Sequence, residues 1–422
     1  MQRGYIDLYR RVAQKVKLDY AAYDVREDRD CTTKFIDELS FYVMHSVVSD
    51  VRFAHIVSKY LACFEDPHLR LHVNHSLSPY KCYDYGVALR RLGDNLYVET
   101  SMHPQLRRGD RIVSAEYHSI PELASMNSPS LFGTDAEREA WEDIFHFCNV
   151  VSIEREGTVL KNIKLEKGIF LGSPETNEVH IASDGIACVT LRRIESASAI
   201  ERFVSDHSQA LTNARGVIVD LRNCTGQCDE ALKFLAPLVA TPDMKVADFL
   251  ESSCLMNYSE SNCNLLKELL SPNAGSPWAR KILKEVEENR GKGLMPFDCA
   301  LPDELNRSIS PLGENPAVVL TDSRCAGTAE TLAEIGKASE RCILAGRNSR
   351  GSFGTLFPIN VAIDERFSLE YPLACFSDDA LSRHGSICGI DVDMHIPWTT
   401  DHLSRDVDIE KALSILTSAH YE

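Results

Sequence analysis

The chain has 422 residues, 44% hydrophobic and 25% charged, the balance of a globular protein with room for two or three cores. Its net charge of −17 excludes the basic face that a nucleic-acid footprint needs. No run nears the ~20 apolar residues that span a bilayer, so no membrane partner is expected. Fourteen cysteines are scattered singly behind a start, Met1 to Asp7, that lacks the apolar core of a signal peptide; reduced thiols in a cytoplasmic protein are the expectation. Cys224 and Cys228, the nearest pair, lack CxxC spacing, so neither a metal nor a cofactor is expected.

In chain order, Tyr5, Leu8, Val12 and Val16, then Phe35, Leu39, Tyr42 and Val43, then Val51, Ala54, Ile56, Tyr60 and Leu61 recur at helical spacing. The period changes after about residue 80. Val87 to Leu92 and Leu96 to Val98 flank Gly93-Asp94-Asn95 as a hairpin, Leu106 to Ser114 runs from a polar turn into a strand, a helix is predicted over about 135–147, and Val151 to Val159 reads as a second hairpin. From about residue 182 strands and helices alternate. Ile186–Leu191, Gly216–Leu221, Pro316–Leu320 and Cys342–Gly346 are apolar strands, and 197–211 and 229–239 are helical. That alternation predicts a parallel sheet covered on both faces. The polar stretch of about 241–310, with two helical patches, reads as an insertion.

The most informative stretch is Thr321-Asp322-Ser323-Arg324-Cys325-Ala326-Gly327-Thr328-Ala329-Glu330, between the Pro316–Leu320 strand and a helix ending near Gly336. A strand, a small-residue turn and a helix start present a side chain where the helix N-terminus favours developing negative charge. The presenting position, Gly327, has no side chain.

Taken in order, the segments resemble the tail-specific, or C-terminal-processing, serine peptidases and their tricorn-core relatives. Phe64-Glu65-Asp66-Pro67-His68 is similar to the family's Asp-x-His element, and Leu106 to Ser114 to its PDZ Gly-Asp-x-Ile strand. Val219 to Gly226 resembles its Asp-Leu-Arg-Asn strand and glycine loop. Gly346 to Gly354 resembles its Gly-Glu-x-Thr-x-Gly segment, and Gly389 to Asp393 its Gly-Ile-x-Pro-Asp close. The resemblance implies an α/β fold: an N-terminal helical domain over 1–78, a PDZ-like β-rich domain over 79–168, and a crotonase/ClpP-like core over 169–422 with its insertion near 241–310. It implies a peptide or peptide-like substrate and no cofactor; it gives no oligomeric state.

Position by position, the serine machinery is incomplete. The family's Ser-x-x-Glu turn, counted back from Glu330, puts glycine at 327. Its lysine base falls on Ser352, which cannot take a proton near neutral pH. In the histidine branch His68 matches, but the partner glutamate falls on Ser386, or on His384 with a shifted loop. Substitutes each carry a plainer reading. Cys325 is a nucleophile by type, or a small buried thiol, and the thiol is preferred. Thr328 supplies an oxyanion N–H, or caps the helix. Ser352 is a nucleophile or a turn residue, and His68 lines the cleft or bonds across a domain junction. Gly226 offers an oxyanion donor from its backbone, or simply a turn. In the PDZ-like part, Tyr85, Gly86 and Val87 are the candidate peptide-binding loop. Two functions remain open: a peptidase-like protein with repurposed His68 chemistry on a peptide-like ligand, or an inactive pseudopeptidase that binds peptides or acts as a scaffold.

Overall fold

The computed structural model describes residues 3–73, 83–131, 135–169, 176–182, 184–250, 253–273, 275–299, 301–351, 354–377 and 389–418. It opens with α1 (Arg3–Asp19), α2 (Thr32–His45) and α3 (Asp50–Ala62). Their apolar stripes converge, burying Leu8, Val12 and Val16 with Phe35, Leu39, Ile56 and Tyr60. The Ser49 hydroxyl caps α3 by accepting from the Arg52 N–H. Strand β1 (Arg70–Val73) follows.

The next stretch contains β2 (Tyr83–Asp84), β3 (Val87–Leu92), β4 (Asn95–Ser101), β5 (Arg111–Ala115), β6 (His118–Ser119), α4 (Ile120–Met126), α5 (Trp141–Phe145), β7 (Val150–Arg155), β8 (Thr158–Lys164) and β9 (Gly168–Ile169). Strands β3, β4, β5, β7 and β8 form an antiparallel sheet in that order, with β6 on β5, while β2 pairs with β9. Leu89, Leu96, Val98, Ile112, Trp141 and Ile153 fill its core. The helix predicted over 135–147 is shorter. A turn of 3-10 helix at Ala136–Arg138 ends where Glu139 takes an extended backbone, φ −63° and ψ 130°, and α5 starts afresh.

The remaining elements are β10 (Glu178–Ile181), β11 (Ile186–Thr190), α6 (Ala197–Thr212), β12 (Gly216–Asp220), α7 (Leu232–Leu235), β13 (Ser253–Asn257), α8 (Glu260–Leu270), α9 (Pro277–Asn289), β14 (Leu294–Asp298), β15 (Ala317–Thr321), α10 (Thr328–Ala338), β16 (Cys342–Gly346), β17 (Thr355–Ala362), β18 (Phe367–Cys375), β19 (Met394–His395) and α11 (Val407–Ser418). The sheet order is β10-β11-β12-β15-β16-β19, parallel from β11 onward. Alternate residues serve opposite faces. Val217, Val219 and Val319 pack with Leu232 of α7 and Leu332 of α10, whereas Ile218, Val318 and Leu320 meet Ala412 and Leu416 of α11. The predicted helix over 229–239 breaks into short pieces around α7, with Pro237 inside the last.

The stretch 241–310, read from sequence as an insertion with two helical patches, holds α8 and α9 and also two strands that were not expected. It supplies β13 and β14, which join β18, and β18 also pairs with β17 and with β1. Its apolar residues Cys254, Met256 and Leu266 share one core with the N-terminal helices and with Phe367, Leu369 and Tyr371 of β18. The buried Cys254 and Met256 alternate at spacing two along β13.

Asp220 and Arg222, at the end of β12, fasten the parallel sheet to α11. Arg222 donates to Asp220 at 2.8 and 2.9 Å and to Asp406 and Asp408 at 2.9 Å, while Arg347 donates to Asp408 at 2.7 and 2.8 Å. Burial alone would raise the Asp408 carboxyl, but His402, Arg347 and Arg222 hold it well below the ordinary carboxylate range. The depressed folded value means this stability is fully present above the unfolded value near 4 and is lost as pH falls below it. Asp408→Ala leaves two buried guanidiniums short of a partner. It should cost about 3–5 kcal/mol at pH 7, read from urea unfolding, and should weaken the acid dependence below pH ~4.

Candidate active site

The carboxyl ends of β12, β15 and β16 lie side by side, and the loops leaving them, 221–228, 322–327 and 347–351, meet at one edge of the parallel sheet. Gly327 is the N-cap of α10 with φ +68° and ψ −136°, a conformation costly for any side-chain-bearing residue. A Cβ built there would stand 2.4 Å from the Gly226 carbonyl oxygen and 3.1 Å from Oε1 of Gln227. The turn therefore has no room for a serine as it stands.

Backbone bonds hold the two loops together. Ala326 N–H donates to the Cys224 carbonyl at 3.0 Å, and Thr328 N–H to the Gly226 carbonyl at 3.1 Å. The Thr328 hydroxyl accepts from the Cys228 N–H at 2.8 Å and donates to Asp229 Oδ1 at 2.9 Å. Thr328 is fully buried, so its hydroxyl is a structural fastener and its N–H is not open to an oxyanion. The Gly226 carbonyl, on the 226–227 peptide, faces the turn; the Gly226 N–H, the expected oxyanion donor, belongs to the preceding peptide. Gly226 must be glycine for another reason: with φ +120°, a Cβ would lie 2.4 Å from the Ile194 carbonyl oxygen. Thr225 and Ile194 lock that contact, Ile194 N–H donating to the Thr225 carbonyl at 2.9 Å.

Cys325 is fully buried, and burial followed by the charge of Glu330 pushes its thiol well above the ordinary range. The small-buried-thiol reading describes it, and the nucleophile reading does not. His68 sits in a turn after α3, its N–H bonded to Asp66 Oδ1 at 2.9 Å. Asp66 is itself buried and accepts from Tyr20 and Thr355. Burial lowers the His68 imidazole below its ordinary value, opposed by Asp66 and helped by Arg350. The Arg350 N–H donates to the Cys325 carbonyl at 2.8 Å, tying the loop after β16 to the turn after β15. Ser352 and Ser386 lie outside the described residues.

The candidate peptide loop is built differently from a carboxylate cradle. Tyr85 is buried, with its hydroxyl donating to the Cys148 carbonyl; Gly86 accepts from Met102 N–H at 2.7 Å, and Val87 lies opposite Ser101 in the β3–β4 ladder. On the other edge of β3, Leu89 N–H donates to Glu142 at 2.9 Å and its carbonyl accepts from Arg324 at 3.2 Å. An added strand would find those two groups taken.

Side chains from outside the quoted motifs, among them Glu99, Arg138 and Glu142, also shape this edge. Arg324, inside the turn, donates to Glu99 at 2.9 Å and Glu142 at 2.6 Å across to the β-rich stretch. Burial would raise the Glu99 carboxyl, but Arg90 and Arg324 pull it down to about 2. Arg138 donates to the carbonyls of Ser349 at 2.5 Å and Arg350 at 2.8 Å. Glu330 accepts from Ser349 at 2.6 Å and Gly351 N–H at 2.7 Å, fixing the third loop to α10. Burial and then Glu330 push its neighbour Glu334 up to about 7. Among the described residues, no group of three His, Cys, Asp or Glu side chains could hold a metal.

The model for Peptidase family S41 matches residues 185–396, half of the 422-residue chain. Among solved structures, mature CPAF is similar at 13% identity over 99% of this chain and 96% of its own, with a TM-score of 0.60. CPAF complexed with lactacystin matches at 12% identity over 99% and 97%, also at 0.60. The photosystem II D1 C-terminal processing protease matches at 15% identity over 98% and 97%, at 0.45. None of the curated proteins matches. No helix of the described residues is long and apolar enough to cross a membrane.

The burial of Cys325 makes a direct prediction. Native protein treated with iodoacetamide should show no alkylation at Cys325 by peptide mass spectrometry, with full alkylation after unfolding in guanidinium. Rapid native alkylation would mean an accessible thiol beside the turn.

Proposed function

The chain belongs to peptidase family S41, and from that premise we propose that it is a pseudopeptidase, a family scaffold that binds peptides or partners without serine-type hydrolysis. The β-rich stretch from β2 to β9 is proposed as PDZ-like, and the parallel sheet with α6, α7, α10 and α11 as a crotonase-like core. The peptide class of ligand rests on family membership. One observation carries the loss of hydrolysis: the Gly226 carbonyl occupies both the oxyanion donor of Thr328, at 3.1 Å, and the space of a Cβ at Gly327, at 2.4 Å. Acyl transfer needs a nucleophile and a preorganised N–H aimed at the developing oxyanion. Here the nucleophile is missing and the N–H is spent inside the chain.

A second reading, His68-dependent chemistry on a peptide-like ligand, is favoured by an imidazole that burial and the Arg350 charge lower from its ordinary value. It predicts a product that disappears with His68→Ala, whereas the pseudopeptidase reading predicts no product from either protein.

The test uses the wild type and Gly327→Ser with a fluorophosphonate probe and a mixed peptide pool. Neither protein should be labelled at Thr328 or at position 327, and neither should cleave peptides. Loss of an activated serine system forfeits on the order of 10⁶ in rate, and restoring the hydroxyl alone should recover none of it. Gly327→Ser should also unfold at a lower temperature than wild type, because the new Cβ must push the 226 peptide aside. Labelling or turnover by either protein overturns the proposal.

A further inference from the structure

A cavity of about 530 Å³ lies between the second half of α1 and the start of α8, walled by Arg11, Lys15, Leu18, Asp19, Glu260 and Ser261. That size falls within the range of roughly 300–1,000 Å³ typical of small-molecule sites. None of its walls belongs to the three loops of the candidate active site. Hydrogen bonds fix the two helices around it. Asn257 donates to the Leu18 carbonyl at 3.0 Å, the Ser259 hydroxyl to Asp19 Oδ1 at 2.6 Å, and Asn262 to the Asp19 carbonyl at 2.9 Å. Lys15 is held on the wall as well. Its ammonium donates to Asp19 at 2.7 Å and to Ser261 at 2.9 Å, and lies 5.3 Å from the centre of the Tyr371 ring. The buried Asp19 balances Lys15, and Arg290 balances Glu260 at 2.8 Å. Arg11, one turn before Lys15 on the same face of α1, has no ion-pair or hydrogen-bond partner for its side chain among the described residues, and neither has the Gln14 amide. Like charges at this spacing repel, and one positive charge on the wall is left over.

We propose that this cavity binds a single carboxylate carried on a body of dipeptide size. The Arg11 guanidinium offers a carboxylate two parallel N–H donors, and Lys15 keeps one of its three ammonium protons for the same anion. A carboxylate between the two cations turns their repulsion into attraction. Leu18 and the methylene stems of Arg11 and Lys15 cover the carbon part of the ligand, and the Gln14 amide meets a peptide group. A phosphate dianion fits less well, because only Arg11 is uncompensated and the carboxylates of Asp19 and Glu260 stand in the same wall. The inference goes beyond the pseudopeptidase reading and does not depend on it, since the cavity and the three loops share no residue.

The test titrates the full chain, labelled at its leucine methyls, with N-acetyl-alanyl-alanine and follows the Leu18 methyl signals by NMR, identified by their loss in Leu18→Met. The free acid should shift those signals saturably, whereas the same dipeptide as its C-terminal amide, and inorganic phosphate at equal ionic strength, should leave them in place. Arg11→Ala should weaken binding by about tenfold or more, the loss of one charged hydrogen-bonding partner. Its melting temperature should match the wild type, because the Arg11 side chain has no partner among the described residues. Arg11→Lys should recover part of the affinity, keeping the charge without the fork. Four results overturn the proposal: no saturable Leu18 shift with the free acid, equal shifts with acid and amide, tighter binding of phosphate than of the acid, or unchanged affinity in Arg11→Ala.

Discussion

The bond from the Thr328 N–H to the Gly226 carbonyl governs this edge of the molecule. With its companion from Ala326 to Cys224, it joins the loop after β12 to the turn after β15, so neither can move alone. The Thr328 hydroxyl extends the seam to Cys228 and Asp229. A buried backbone donor must have a partner; at a working oxyanion site that partner is water or substrate, and here it is the chain itself. The glycine at 327 fits the same geometry, because any larger residue would strike the carbonyl that accepts this bond.

Around that seam, arginines tie separate sheets to one place. Arg324 reaches from the turn to Glu99 and Glu142 of the β-rich stretch, and Arg138 reaches back to the carbonyls of the 348–350 loop. Arg222 and Arg347 anchor two of the three loops to Asp408 on α11. Planar guanidiniums suit this task, since each can satisfy several carbonyl or carboxylate oxygens at once. The three loops are thus tied to one another, to the β-rich stretch and to α11.

Much of the fold was legible because burial wrote itself as period. The runs at 186–191, 216–221 and 342–346 are continuous apolar strands of a covered sheet, and the helical spacings near the N-terminus mark α1 to α3. The strands β13 and β14 within 241–310 were not read, and the β18 strand that β13 pairs with is far away in sequence. At the site, the missing hydroxyl at Gly327 and the buried thiol of Cys325 could be read from residue type and position. The orientation of the Gly226 peptide could not, because glycine permits either face. The roles of Arg324, Arg138 and Glu142 were equally hidden, since ion pairs across distant segments leave no local pattern.

The most direct measurement of the central claim is the orientation of the 226–227 peptide in a crystallographic density map at high resolution. The account predicts the Gly226 carbonyl oxygen within hydrogen-bond distance of Thr328 N, over the Cα of Gly327. A flipped peptide, with an N–H directed into the cleft and water or ligand against Thr328 N, would contradict it.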